Sequence, residues 1–324
     1  MKTTKATLLF SAVFLLFGCG DDHNDYKNSK TEGTSVETDS RQEKGPAEAK
    51  YNLEFPALSS NSNCIVLVHR ATLNDKTKEQ GINYCVEWDT NQRTQHWTCY
   101  KAYSNIVRSS TSSNNVSRYY KNNGENLTPT SQYPNDPDLP SQYQFTVDPY
   151  RGSGYDHGHI CPSADRLRST DANYQTFFLT NMQPQTKAFN GSHDDIPADY
   201  SPWYRIEDRT RTWAAKADTL YVCKGGIVDS NSKTIGSGKN KIPVPSYFFV
   251  ALLSKKGSTY SAIGFYMKHE SSYSSQQPLS NYAMNIKELE QVTGYDFFCN
   301  LPDDIEREVE NLEETKMLDD WSVQ

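Results

Sequence analysis

The chain has 324 residues, a formal net charge of −7 and 35% hydrophobic residues, which is too few for a multi-span membrane protein. Aromatic residues make up 12%, with 21 Tyr and 5 Trp, so wholesale disorder is excluded and a packed core is expected. The charge sits at the ends: residues 20–50 hold five basic and eight acidic residues, residues 300–324 hold two and nine, and the body between them, 51–299, holds 24 and 23. A body so close to neutral does not veto a polyanionic substrate.

In chain order, Lys2 and Lys5 precede the apolar run Ala6–Phe17, too short to span a bilayer and suited to a secretory signal. It ends Leu16-Phe17-Gly18-Cys19, which resembles a bacterial lipobox, although Phe17 departs from the usual small or branched residue. The expectation is a signal peptide over 1–19, lipidation of Cys19, and an exported, membrane-anchored protein at the outer membrane. The following Gly20-Asp21-Asp22 resembles a surface-export signal. Residues 20–58 are polar and aperiodic and read as a disordered tether, leaving 59–324 as the domain.

Six cysteines remain beyond Cys19, an even number that suits disulfides in an exported chain. Asn63–Val68 reads as a strand. Ile82–Trp88 and Gln95–Tyr103 read as a hairpin around Asp89–Gln92, which sets Cys85 opposite Cys99 within disulfide reach. Residues 104–144 read as a long loop region. Further strands are expected at Gln144–Val147, Thr176–Met182, Thr219–Cys223, Ser246–Leu253 and Ala262–Met267. Ser201-Pro202 is a cap and first-turn proline opening a helix over Trp203–Lys216. Asn285 and Glu288 form a capping-box pattern, with Gly294 to close that helix, and a last acidic helix is expected from Asp303 to Glu314. Strands and helices mix without alternation, so the class is α+β.

The densest chemistry lies at Tyr155-Asp156-His157-Gly158-His159-Ile160-Cys161-Pro162-Ser163-Ala164-Asp165-Arg166. Three readings compete: a structural turn, a transition-metal site from His157, His159 and Cys161 on one strand face, or a general-base histidine beside an orienting carboxylate. The wider sequence favours the third. Asp156-His157-Gly158-His159 resembles the D-R-G-H signature of the DNA/RNA non-specific endonucleases, in the ββα-metal superfamily that includes mitochondrial endonuclease G. Thr176–Gln185 with Phe189-Asn190 is similar to that family's strand and metal asparagine. Trp203-Tyr204-Arg205-Ile206-Glu207-Asp208-Arg209-Thr210-Arg211 resembles its W-x-x-L-E-x-x-x-R helix, and Thr293–Phe298 with Leu301-Pro302 resembles its C-terminal elements.

The resemblance implies a central antiparallel sheet flanked by helices, with a ββα element through Val147–His159, Thr176–Met182 and the Glu207 helix. It implies hydrolysis of phosphodiester bonds in DNA and RNA with little sequence preference. His159 would be the general base, helped by Asp156; Asn190 would bind Mg²⁺, or another divalent ion such as Mn²⁺. Glu207 would hold the metal's waters, Arg211 would contact phosphate, and Arg118 would face the developing negative charge. His157 replaces the motif's arginine as a substrate contact. The family's spacing from the helix tryptophan would select Asp199 as the metal ligand, whereas the upstream register selects Asn190, the preferred residue. The competing classes are a phosphodiesterase on another substrate and a non-catalytic surface lipoprotein binding nucleic acid or glycans.

Overall fold

The computed structural model describes residues 49–108, 111–119 and 132–323. The expected signal peptide, Cys19 and the tether up to residue 48 lie outside the described residues. The strands in chain order are β1 (Cys64–Asn74), β2 (Glu79–Asp89), β3 (Thr94–Ala102), β4 (Asp156–His159), β5 (Met182–Gln185), β6 (Thr219–Ile227), β7 (Thr234–Ile235), β8 (Ile242–Pro243), β9 (Tyr247–Lys256), β10 (Thr259–Lys268) and β11 (Ala283–Met284). The helices are α1 (Thr170–Gln175), α2 (Lys187–Asn190), α3 (Pro202–Ala214), α4 (Ile286–Thr293), α5 (Asp303–Glu310) and α6 (Glu314–Trp321).

Seven strands form one antiparallel sheet in the order β1-β2-β3-β6-β9-β10-β11. The α+β class with a central antiparallel sheet flanked by helices holds. Successive side chains of a strand point to opposite faces, and the two apolar clusters divide accordingly. Val86, Tyr100, Val222, Val250 and Leu252 join Trp203, Ile206 and Trp321 on one face. Cys85, Cys99, Cys223, Phe249 and Ala251 join Ile286, Leu289, Phe297 and Val309 on the other. With both faces covered, β6 and β9 are buried almost throughout, which is why they read as nearly unbroken apolar runs.

Several expectations need correction. The domain starts earlier than residue 59: Ala49 and Phe55 are fully buried in the second cluster, two apolar residues in a polar stretch too short to show a period. Gln144–Val147 is not a strand; Asn240 holds it through its amide oxygen, which accepts from the Thr146 and Val147 backbone N–H groups. Thr176–Met182 turns through a 3₁₀ segment at Leu179–Asn181, and the strand begins only at Met182. The acidic C-terminal helix breaks after Glu310 into two. The short α1 and α2 escaped notice because six and four residues are too few for a helical period.

Cys85 and Cys99 are register partners, as the hairpin required. Cys223 is in turn the partner of Cys99 on its other side. All six described cysteines are free thiols, so the expected disulfide is a juxtaposition and not a bond.

Candidate active site

The motif histidines lie on β4, which among the described residues pairs only with β5: Asp156 opposite Gln185, His159 opposite Met182. Gly158 is needed between the two histidines, because a Cβ there would stand 2.3 Å from the Gln185 side chain and 2.6 Å from the Gln183 carbonyl. The pair is locked to the main sheet by buried amides. Gln183 donates to the Gln95 carbonyl at 3.1 Å and accepts from the Gly226 N–H at 2.7 Å. Asn181 bonds both backbone groups of Cys161, at 2.8 and 2.9 Å.

From β5 the chain passes directly into α2. Thr186 caps it by accepting from the Phe189 N–H, and Gly191 closes it in the left-handed region at φ 71°. A side chain on Gly191 would also stand 2.9 Å from Tyr204 Cβ, so this glycine lets α2 lie against α3. Ser201 then does two things: its hydroxyl oxygen accepts from the Tyr204 N–H as the cap of α3, and its O–H donates to the Phe189 carbonyl. Asn190 is thereby fixed from both sides.

These elements wall a cleft of about 600 Å³. Its lining includes every expected site residue of the domain: Arg118, Asp156, His157, His159, Asn190, Glu207 and Arg211. Their roles differ from expectation in places. His159 meets Phe177 edge-on, with ring centroids 4.9 Å apart, and its Nε2 is buried without a protein hydrogen-bond partner. Burial, then the nearby Arg118 and His157, hold its pKa well below 6.5, so the ring is neutral at pH 7. A neutral imidazole with a nitrogen free of protein partners can accept a proton.

Asp156 does not touch His159. Three positions along a strand put them on opposite faces, and the Asp156 carboxylate instead accepts from the Asn190 amide at 3.0 Å and from the Ser192 hydroxyl. A carboxylate can only accept, so the Asn190 N–H₂ must face it, leaving the amide oxygen as the free end. His157 is built into the wall: its Nε2 lies 3.0 Å from both Asp148 oxygens, and its ring is stacked between Tyr133 at 3.6 Å and Tyr150 at 4.1 Å. Its expected substrate contact gives way to this structural one. His157, His159 and Cys161 do not bring donor atoms together, so the transition-metal reading fails among the described residues.

On α3, Glu207 and Arg211 share a face as their four-residue spacing requires. Glu207 is 3.4 Å from the Lys224 ammonium. Burial raises its pKa, against the pull of Lys224 and Arg211. Arg211 is gripped by Asp165 at 3.0 Å and Asp208 at 3.1 Å; despite burial, Asp165 and Glu207 raise its pKa further. Asp165 is fully buried and also accepts from Tyr100 OH at 2.9 Å. Arg166 instead bonds Asn83 and the Lys101 carbonyl. Asp199 is exposed and lines a different hollow, beyond Tyr204 and Asp208, beside Arg205 and Leu279.

Sequence reasoning missed Lys224. Its signal was present: a lone lysine inside the apolar strand Thr219–Ile227, where it lies over the Trp203 ring at 4.2 Å. It also missed His269, whose Nε2 accepts from the Thr186 N–H at 2.8 Å while its Nδ1–H donates to the Pro245 carbonyl, so it orients α2 from behind. Nothing local marks that histidine, which is 83 residues away in sequence.

Residues 69–304 match the model of the DNA/RNA non-specific endonuclease family. The chain belongs to that family. Its relatives include a nuclease of Nostoc sp., 33% identical over 184 residues, covering 54% of this chain and 62% of that protein. Nuclease C1 of Cunninghamella echinulata var. echinulata is 29% identical over 179 residues, covering 53% and 68%. Bovine mitochondrial endonuclease G is 24% identical over 186 residues, covering 55% and 59%. The chain thus spans about three fifths to two thirds of these relatives' length. A chain of the solved EndoG/EndoGI complex shares the fold, with a TM-score of 0.59 at 18% identity, over 83% of this chain and 95% of that one.

Proposed function

We propose that this protein is a metal-dependent endonuclease that hydrolyses phosphodiester bonds of DNA and RNA with little sequence preference. The carrying observation is the cleft in which a neutral His159, its Nε2 without a protein partner, shares walls with Arg118, Asn190, Glu207 and Arg211. Family membership and the relatives named nuclease and endonuclease support the same reading.

In this mechanism the attacking water gives its proton to His159 Nε2, a transfer contributing about 10²–10⁴-fold. Arg118, exposed at the cleft wall with its guanidinium 5.5 Å over the Phe177 ring, stabilises the negative charge that develops on phosphate. Arg211, immobilised by two carboxylates, acts as a fixed positive charge that orients the phosphate. The donor set fits a hard divalent cation: one neutral amide oxygen, turned outward by Asp156, and one carboxylate, with no sulfur. Asn190 would hold Mg²⁺ directly and Glu207 through waters, with Mn²⁺ as a substitute, and the ion would polarise a phosphate oxygen. Among the described lining residues, Arg118 and Arg211 are suited to phosphate, which fits recognition of the backbone.

The exported address belongs to the same proposal: Cys19 carries lipid and anchors the enzyme to the outer membrane. Plasmid nicking and RNA degradation with and without EDTA test the activity. Metal-independent cleavage, or none at any Mg²⁺ concentration, overturns the proposal. Release of Cys19→Ala from the membrane fraction tests the anchor.

A further inference from the structure

On the face of the sheet turned away from the cleft, four ligand-type side chains meet at one end of the first three strands. Cys64 opens β1 and is paired with Asp89 at the end of β2; Glu87 lies two residues earlier on the same face. Across the hairpin, Glu87 pairs with Trp97 and Trp88 with Gln95, so His96 is the extra residue of a β-bulge. Bulges re-aim side chains, and this one brings an imidazole against both carboxylates. Glu87 Oε1 is 2.9 Å from His96 Nδ1, and Asp89 Oδ2 is 3.5 Å from Nε2. Cys64 Sγ is 3.7 Å from Nδ1. One donor atom each from Cys64, Asp89 and His96 lies within 4.8 Å of the other two.

The charges are unbalanced. The Glu87 and Asp89 side chains are only 2% and 4% exposed, and among the described residues His96 is the only ion-pair partner of either. Two buried carboxylates sharing one imidazole carry a deficit of positive charge. The imidazole remains 19% exposed, so the site opens to solvent on that side.

We propose that Cys64, Asp89 and His96 form a second metal site, for a divalent cation of borderline softness such as Zn²⁺, with Glu87 orienting the imidazole. A sulfur ligand disfavours Mg²⁺ and Ca²⁺. Tetrahedral zinc with N and O ligands at ~2.0–2.2 Å and sulfur at ~2.3 Å sets its ligands roughly 3.3–3.7 Å apart, and the three donor atoms, all within 4.8 Å of one another, need only a small side-chain adjustment to reach it. With Nε2 on the ion beside Asp89, Glu87 holds Nδ1, the arrangement that commonly fixes metal-bound histidine. Water fills the fourth position. Binding needs the thiolate and a bare imidazole nitrogen, so affinity should rise with pH. The site clips β1, β2 and β3 together, so its effect is on stability and not on the cleft.

The test is metal content, independent of nuclease activity. Full-length protein, stripped of metal and kept with a non-thiol reductant, is loaded with Zn²⁺, desalted and assayed by elemental analysis. We expect one retained Zn²⁺ and a raised Tm in wild type and in Asn190→Ala, and loss of both in Cys64→Ser and His96→Gln, which keep Mg²⁺-dependent cleavage. Glu87→Gln should weaken affinity by about 10–100-fold. Because a variant could misfold, wild type loaded with Co²⁺ is read as well: a thiolate-to-cobalt absorption band is expected, absent in Cys64→Ser. Overturning results are no retained Zn²⁺ in folded wild type, no thiolate band, or unchanged zinc content in folded Cys64→Ser.

Discussion

The two faces of the sheet are built by different physics. The far face follows period-two burial: alternate residues of β2, β3, β6 and β9 meet α4 and α5 in a continuous apolar cluster. The cleft face carries apolar contacts too, but its catalytic layer consists of β4, β5 and α2, each four residues long, none able to stand alone. Buried polar side chains hold that layer: Asn181 bridges Cys161 to the Thr176 carbonyl, Asn173 bonds Ser163, and Gln183 bonds β3 and β6. These three amides are paired at both ends, and a buried network so paired favours one geometry. The comparison therefore separates residues that keep the molecule folded from residues that keep the cleft in shape.

The largest effect should come from His159. His159→Ala should lower kcat by about 10²–10⁴-fold while the variant still folds. The same burial has a pH signature. The folded pKa lies below the ordinary 6.5, so the unfolded chain takes up the proton first as pH falls. Stability from this residue is complete above 6.5 and declines as pH drops toward the folded value. The neutral base survives over that interval, so the acid limb of kcat/KM against pH should lie below 6.5. An acid limb above 6.5 would contradict a desolvated base.

Asn190 and Asp199 come next. Asn190→Ala should shift the Mg²⁺ concentration for half-maximal rate by more than the 10–100-fold expected for a residue that only orients a ligand. Asp156→Ala, which frees the Asn190 amide to rotate, should fall within that range. Asp199→Ala, outside the cleft, should leave the metal dependence unchanged. Rates measured across Mg²⁺ for the three variants decide the order.

The far face should give the reverse pattern. Phe297 is fully buried against Phe249 and Tyr295. Phe297→Ala should cost about 3–5 kcal/mol of stability, read by urea denaturation, while kcat per folded molecule stays near wild type. A large loss of kcat in the folded fraction would mean that the two faces are coupled.

The same division explains what could be read without a structure. The long strands and both capped helices were legible, because Ser201-Pro202, the Asn285–Glu288 box and the apolar strand runs are local signals. So was the membership of the cleft, since residues from three of the four ordered motifs gather in it, while the fourth, Thr293–Phe298, packs on the far face. Illegible were the partners. That Asp156 serves Asn190 and not His159, that Asp148 reaches His157 with tyrosines on either side, and that His269 supports Thr186 are all set by β4 pairing with β5 and packing on the sheet. Gln144–Val147 looked like a strand because Phe145 is buried, yet its backbone is satisfied by a side chain 94 residues away. Such contacts leave no periodic trace.

The smallest effect sharpens the comparison most. Ser201 and Asn285 are both helix caps, one on each side of the sheet, accepting from Tyr204 N–H and Glu288 N–H respectively. Substituting either by alanine removes a cap worth about 1 kcal/mol, so urea midpoints should fall in both, and further in Ser201→Ala, where a buried carbonyl also loses its donor. Their consequences for catalysis should differ. Asn285 touches nothing in the cleft, and Asn285→Ala should leave kcat unchanged. Ser201 also donates to the Phe189 carbonyl, one residue before Asn190. Ser201→Ala leaves that buried carbonyl without its donor and loosens the turn that aims the Asn190 amide oxygen. Its rate should therefore fall at low Mg²⁺ and recover in excess, a KM-like change in metal dependence with little change at saturation. If both alanine variants lose stability equally and neither shifts the Mg²⁺ requirement, Ser201 is a cap only, and the geometry of Asn190 is secured by Thr186 and Gly191 alone.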